Sequence, residues 1–258
     1  MQRAIIDAHI HLDQYDTEER EQIIESLLDQ TVKSVISVSS HLESAKQTLA
    51  LAQKNEQIKP AFGYHPEQPL PKEDELEALF AFIKDHHQQM VAIGEVGLPY
   101  YLRRKNPKIS REPYEELLEC FIKQAIDYNK PLVLHAIYED AEVVCDLLEK
   151  HSYQRAHFHW FKGSERTVKR MIENGYFISV TPDVVYETEI QQLVKQYPLS
   201  QMMVETDGPW PFLGPFEGQV THPHLIHHAI QAIAEIKQLD SSIVYQTLYE
   251  NTKQFYQL

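Results

Sequence analysis

Eight short runs of mostly apolar, strand-forming residues recur along this chain, and a longer amphipathic stretch follows each of them. The runs are residues 4–9, 35–38, 60–64, 91–95, 132–135, 156–159, 176–180 and 202–207, and the stretches are 17–30, 42–54, 73–88, 112–128, 139–150, 164–174, 185–196 and 222–238. Runs that stay apolar at successive positions suit strands buried on both faces. Strands that alternate with helices imply parallel neighbours joined by crossovers. Eight such units in 258 residues predict an α/β architecture closed into a (β/α)8 TIM barrel, in preference to an open doubly wound sheet. A further helix over 241–256 is expected to pack outside it. No Gly/Ser-rich linker or repeat interrupts the alternation, and the proline-rich stretch 207–215 is short enough to be a loop, so one domain over 1–258 is expected.

The ends of these runs carry ionisable groups of one kind: His9, His11, Glu95, His135, His159 and Asp207. A parallel barrel brings the C-terminal ends of distant strands to one face, and a divalent ion needs several imidazoles and carboxylates converging on one point. His9 and His11 lie two residues apart and therefore point the same way. Asp7 lies one layer deeper on that face, where it can serve an imidazole N–H. Histidines satisfied within a core are the competing account. Glu95 sits in an otherwise apolar strand end, where a carboxylate is costly unless paired or bound to metal. Its two oxygens can bridge two ions, which makes a binuclear centre possible, and a structural salt bridge is the alternative. His157, two residues before His159, can also point inward, and spacing does not choose between them. Asp207 is the candidate general base, taking the proton of a water whose pKa a divalent ion lowers towards ~7. An aspartate that merely starts a turn before Gly208-Pro209 is the rival reading.

Formal net charge is −14, so the surface as a whole repels polyanions. One basic segment stands against that: Arg103, Arg104, Lys105, Lys108 and Arg111, beside Tyr100 and Tyr101, on a loop expected between the fourth strand and its helix. On the catalytic face of a barrel that loop can hold a phosphate, and otherwise it is a solvated loop. Cys120 and Cys145 make no disulfide framework and read as reduced packing residues. A strand occupies the first ten residues where a leader would be, and no apolar run approaches ~18 residues, so a soluble, cytoplasmic protein without membrane association is expected.

Other groups admit two readings each. His65, ahead of Pro66, either contacts substrate or belongs to a turn. His222, His224, His227 and His228 form either an accessory metal site or a partly exposed helix start. Trp210, Phe212 and Phe216 either stack a base and line a pocket or form a lid on the barrel rim.

Taken together the motifs resemble those of TatD-type metal-dependent hydrolases of the amidohydrolase superfamily, across essentially the whole chain. The matching segments are Ile6-Asp7-Ala8-His9-Ile10-His11-Leu12, Gly63-Tyr64-His65-Pro66, Ile93-Gly94-Glu95-Val96-Gly97-Leu98, Pro131-Leu132-Val133-Leu134-His135, His159-Trp160-Phe161-Lys162-Gly163-Ser164 and Glu205-Thr206-Asp207-Gly208-Pro209. The resemblance implies that His9, His11, Glu95 and Asp207 hold one ion, with Glu95, His135 and His159 holding a second. It also implies phosphodiester hydrolysis of deoxyribonuclease type, with divalent zinc, manganese, magnesium or nickel compatible with these donors. Three departures bear on substrate. Pro99 stands where the family usually has aspartate in Gly-Leu-Asp-Tyr. Ala136-Ile137 follow His135 where a small residue and an arginine are common. Val220-Thr221-His222-Pro223 replaces Arg-Asn-Glu-Pro.

The expected function is therefore a metal-dependent hydrolase acting on nucleic acid ends or a small phosphoester, with His65, Tyr100, Arg103, Arg104 and Trp210 as candidate substrate contacts. An amide or ester hydrolase on the same centre is the nearest rival, and a non-catalytic metal-binding scaffold the second.

Overall fold

The apolar runs become β1 (Ile5–Ile10), β2 (Val32–Val38), β3 (Ile58–Phe62), β4 (Ala92–Gly97), β5 (Leu132–His135), β6 (Ala156–Phe158), β7 (Phe177–Val180) and β8 (Met202–Val204) in a computed structural model that describes residues 4–27 and 31–258. Each strand pairs in parallel with the next, in the order β1 to β8. Every residue of β1, β4, β6 and β8 is buried, as strands covered on both faces must be. The crossovers carry α1 (Thr17–Ser26), α2 (Leu42–Lys54), α3 (Glu73–His86), α4 (Tyr100–Lys105), α5 (Glu112–Asp127), α6 (Glu139–Lys150), α7 (Glu165–Glu173), α8 (Thr188–Gln196) and α9 (Ile226–Lys237), and α10 (Ser241–Tyr256) follows. The fold is a (β/α)8 TIM barrel.

Side-chain caps start several of these helices. Asp16 accepts the Glu19 N–H at 2.9 Å before α1, Ser164 accepts the Thr167 N–H at 3.1 Å before α7, and Asp240 accepts the Ser242 N–H at 2.7 Å before α10. Helices α8 and α9 begin later than the amphipathic stretches suggest, because prolines open short 3-10 turns at Pro182–Val185 and Pro223–Leu225 first. The end of the first amphipathic stretch, 28–30, lies outside the described residues.

Two apolar layers follow from strand alternation. Ile93, Leu132, Leu134, Phe158, Met202 and Val204 face the helices. Ile36, Val38, Ala61, Ala92, Val133 and Met203 cluster with Tyr256 in the other layer, which fills the barrel. Helix α10, expected outside the barrel, thus sends its last turn into the barrel floor. There the Tyr256 hydroxyl lies 2.7 Å from His157 Nδ1, and His157 Nε2 lies 2.6 Å from Ser179 Oγ. Burial lowers the His157 pKa to about 3, so this ring is a neutral floor residue.

The barrel closes between its first and last strands by hydrogen bonds at the strand ends. Asp207 N–H donates to the His9 carbonyl at 2.9 Å and His11 N–H to the Gly208 carbonyl at 2.8 Å. The Asp7 carboxylate accepts the Thr206 hydroxyl at 2.5 Å, the Thr206 N–H at 3.0 Å and the His9 N–H at 3.2 Å. Asp7 therefore serves this seam, contrary to the expectation of an imidazole partner. Burial outweighs these donors and raises its pKa to about 7.

Two local expectations need correction. The basic segment after β4 is a loop only in part: Arg103, Arg104 and Lys105 lie in α4, which has too few apolar residues to show periodicity and is held by an outside carboxylate described below, and Lys108 and Arg111 follow it. Cys120 is exposed on α5, and only Cys145 is buried. Among the described residues no helix is long and apolar enough to cross a membrane.

Two outcomes are expected from this packing. Tyr256→Phe should lower unfolding stability by about 1–3 kcal/mol in urea titrations by stripping a buried partner from His157, and an unchanged midpoint would exclude that role. A thiol reagent should label one cysteine rapidly in the native protein and the second only on unfolding, because burial pushes the Cys145 thiol up to about 12.

Candidate metal centre

Strand irregularities aim the candidate ligands. In β4, Ile93 pairs with Leu132 and Val96 with Leu134, three residues' advance against two. The same mismatch occurs in β1, where Asp7 pairs with Val35 and Ile10 with Ser37. Such a bulge shifts side-chain alternation by one position. Ile93 and Val96 can then both face the helices while Glu95 turns into the interior, fully buried. Gly97 completes the arrangement, since a Cβ there would stand 1.9 Å from the His135 carbonyl oxygen. Only glycine lets β4 approach the end of β5 so closely.

The groups converge as two sets around one carboxylate. Glu95 Oε2 lies 3.3 Å from His9 Nε2 and 3.1 Å from His11 Nε2, and Asp207 Oδ1 lies 3.2 Å and 3.5 Å from the same two nitrogens. Glu95 Oε1 lies 2.7 Å from His159 Nε2, 3.1 Å from His135 Nδ1 and 3.2 Å from His65 Nε2. Ligand atoms about 2.1 Å from a common ion stand roughly 3 Å apart, so these separations suit metal donors. Potential ligand clusters among the described residues are His9-His159-Asp207, His9-His11-Glu95 and His65-Glu95-His135.

Hydrogen bonding supports the fit. Both Glu95 oxygens and Asp207 Oδ1 are buried without a hydrogen-bond donor of acceptable geometry among the described residues. Buried carboxylate oxygens are rarely left so. Burial opposes ionisation of Glu95, but the imidazoles of His65, His159 and His9 outweigh it and hold the carboxyl well below the usual range. In turn, Glu95 and Asp207 overcome burial at His9 and raise that ring to about 9. Carboxylates and imidazoles thus face one another as electron-pair donors, a set that suits a divalent cation. Asp207 adopts φ +52°, a left-handed conformation that aspartate tolerates better than most residues.

Behind the ligands, buried Glu205 accepts the Trp160 N–H at 2.7 Å with the oxygen that lies 3.7 Å from His159 Nδ1. In front, a cavity of about 770 Å3 opens over the cluster, lined by His65, Tyr101, Lys105, Trp160, Lys162 and Trp210 among others. Trp210 is 57% exposed, whereas Phe212 and Phe216 are buried against Leu225 beneath the rim. Tyr100, Arg103 and Arg104 line a separate hollow of about 280 Å3, where Arg103 Nη1 lies 2.9 Å from the buried Asp140 carboxylate. None of the ligand clusters found among the described residues includes His222, His224, His227 or His228.

Lys162 and Glu67 are among the cavity groups that escaped the sequence reading. Lys162 lies within a recognised motif, but nothing in its spacing marks it as facing the site. Glu67 carries the clearer signal: a carboxylate two residues past the strand-end histidine His65.

The chain matches the family model described as TatD related DNase over residues 6–257. It is 40% identical over 255 residues to an uncharacterized metal-dependent hydrolase of Haemophilus influenzae, covering 98% of this chain and 100% of that protein. It is 27% identical over 256 residues to the human deoxyribonuclease TATDN3, covering 96% of this chain and 92% of that one. In fold it resembles the crystal structure of YJJV, a TatD homologue from Escherichia coli, with TM-score 0.88 at 24% identity over 100% of both chains. Family match, barrel and ligand geometry agree, and the chain belongs to the TatD-related DNase family of metal-dependent hydrolases.

Proposed function

We propose that the chain hydrolyses phosphodiester bonds at nucleic acid ends with two divalent ions. The observation that carries this reading is Glu95, whose two buried oxygens face separate sets of histidines. His9, His11, Glu95 and Asp207 would hold one ion, and Glu95, His135 and His159 the other. Zinc, manganese, magnesium and nickel all suit these donors. When bound, the ions polarise a phosphoryl or carbonyl oxygen and lower the pKa of water towards ~7. The Asp207 carboxylate, whose Oδ1 has no hydrogen-bond donor among the described residues, accepts the proton of the attacking water. The histidines and Glu95 keep that carboxylate and the substrate oxygen in fixed relation, so little reorganisation is needed at the moment of reaction.

The outer cavity supports an anionic, aromatic substrate. Histidines aside, Lys105 and Lys162 are the cations among its lining residues, and they stand on opposite sides in sequence of β5. Lys162 Nζ lies 5.7 Å from the Trp160 ring centroid. These lysines bind phosphate oxygens as point charges in place of the arginine lost at Ile137, and exposed Trp210 stacks a terminal base. The deoxyribonuclease named among the relatives supports DNA as the substrate class. A second reading, amide or ester hydrolysis, is favoured by one observation: apolar Ile137 lines the cavity where the family commonly has arginine.

Elemental analysis of metal-replete protein should find two divalent ions per chain, and Glu95→Gln should lose at least one of them. Single-stranded DNA and a generic phosphodiester should be cleaved, with kcat reduced roughly 10²- to 10⁴-fold by Asp207→Asn. Cleavage of carboxylic esters or amides alone would replace this reading with the second, and less than one bound ion per chain would remove the centre itself. Lys105→Ala combined with Lys162→Ala should raise KM for single-stranded DNA and flatten the logarithmic salt dependence of binding by roughly 0.7 per lysine. An unaltered salt slope would take both lysines off the phosphate path.

A further inference from the structure

We infer that Glu67, on the loop after β3, is a positioning residue that fixes the ring of His135 for metal binding. The inference rests on the reading of His135 as a metal ligand. Glu67 lies two residues past His65, and its side chain is 14% exposed. Its Oε1 accepts the Tyr101 N–H at 2.7 Å and lies 3.2 Å from His135 Nε2, while its Oε2 accepts the Leu102 N–H at 2.6 Å. Helix α4 begins after Pro99, which supplies no side-chain cap. Glu67 therefore satisfies the first turn of α4 and grips His135 with the same carboxylate.

The donors and acceptors dictate the tautomers. An ionised carboxylate only accepts hydrogen bonds, so the nitrogen facing it, His135 Nε2, must carry a proton. Nδ1 faces the other way, 3.1 Å from Glu95 Oε1 and 3.2 Å from His159 Nε2, on the side where an ion would take its electron pair. Metal-binding histidines are commonly oriented by a carboxylate on the far nitrogen in this way. The same residue also holds His65. The Glu67 N–H donates to His65 Nδ1 at 3.1 Å, so that ring is fixed with Nε2 turned to Glu95 Oε1 at 3.2 Å.

The test compares metal-free wild type, Glu67→Gln and Glu67→Asp by 15N NMR of histidine tautomers and by calorimetric titration with manganese or zinc. Glutamine keeps the size, but its single neutral amide oxygen cannot accept from both α4 N–H groups and from His135 as the carboxylate does. In Glu67→Gln, the 15N shift of His135 Nε2 should move as an anionic acceptor is lost, and affinity for the second ion should fall roughly 10- to 100-fold with the first unchanged. Glu67→Asp, which keeps acceptor-only chemistry, should retain the wild-type 15N signature. An unchanged Nε2 shift in Glu67→Gln, or an equal loss of both ions, overturns the proposal. If wild type itself binds fewer than two ions, the binuclear reading fails, while the 15N comparison still decides the role of Glu67.

Discussion

A carboxylate stripped of water needs compensating charge, and at Glu95 that need organises the upper half of the barrel. The effective cost of desolvating such an ion is several kcal/mol, so no strand end would retain it without opposite charge close by. Five histidine nitrogens stand 2.7 to 3.3 Å from its two oxygens. They come from four strands or strand ends, and the bulges in β1 and β4 and the missing side chain at Gly97 serve their convergence. Protons and divalent ions compete for the same electron pairs here, so metal binding must release protons.

The barrel divides along its axis into regions of different chemistry. At the floor, His157 is enclosed by Tyr256 and Ser179 and stays neutral. At the mouth, the rings of His9 and His159 stack with centroids 3.9 Å apart, and carboxylates favour their charged forms. The same residue type, two positions apart, is structural at 157 within β6 and a candidate ligand at 159 just past its end. Depth in the barrel and nearby carboxylates decide the difference.

This division explains what was legible in the amino-acid sequence. Helices α2, α6 and α10 and strand β5 fall on the residues expected from periodicity, because apolar spacing and end signals agree there. The convergence of the candidate ligands was legible because strand ends in a parallel barrel share one face. The exchange of partners across loops was not. Glu67 contacts Tyr101 and His135, far away in sequence, and no local pattern records such a pairing. Helix α4 was missed for the same reason, since its first turn is completed by that distant carboxylate. Arg103 looked available to a phosphate until the structure paired it with Asp140. The inward turn of Glu95 likewise depends on a bulge, which strict alternation does not anticipate.

The seam between β1 and β8 carries a consequence for assembly. The backbone groups of His9 and His11 find partners at Asp207 and Gly208, and Asp7 finds Thr206, 199 residues further along the chain. Such distant pairs cost loop entropy before their contacts reward it. Closing the ring is therefore the step that brings the candidate ligands of the first strand to Asp207.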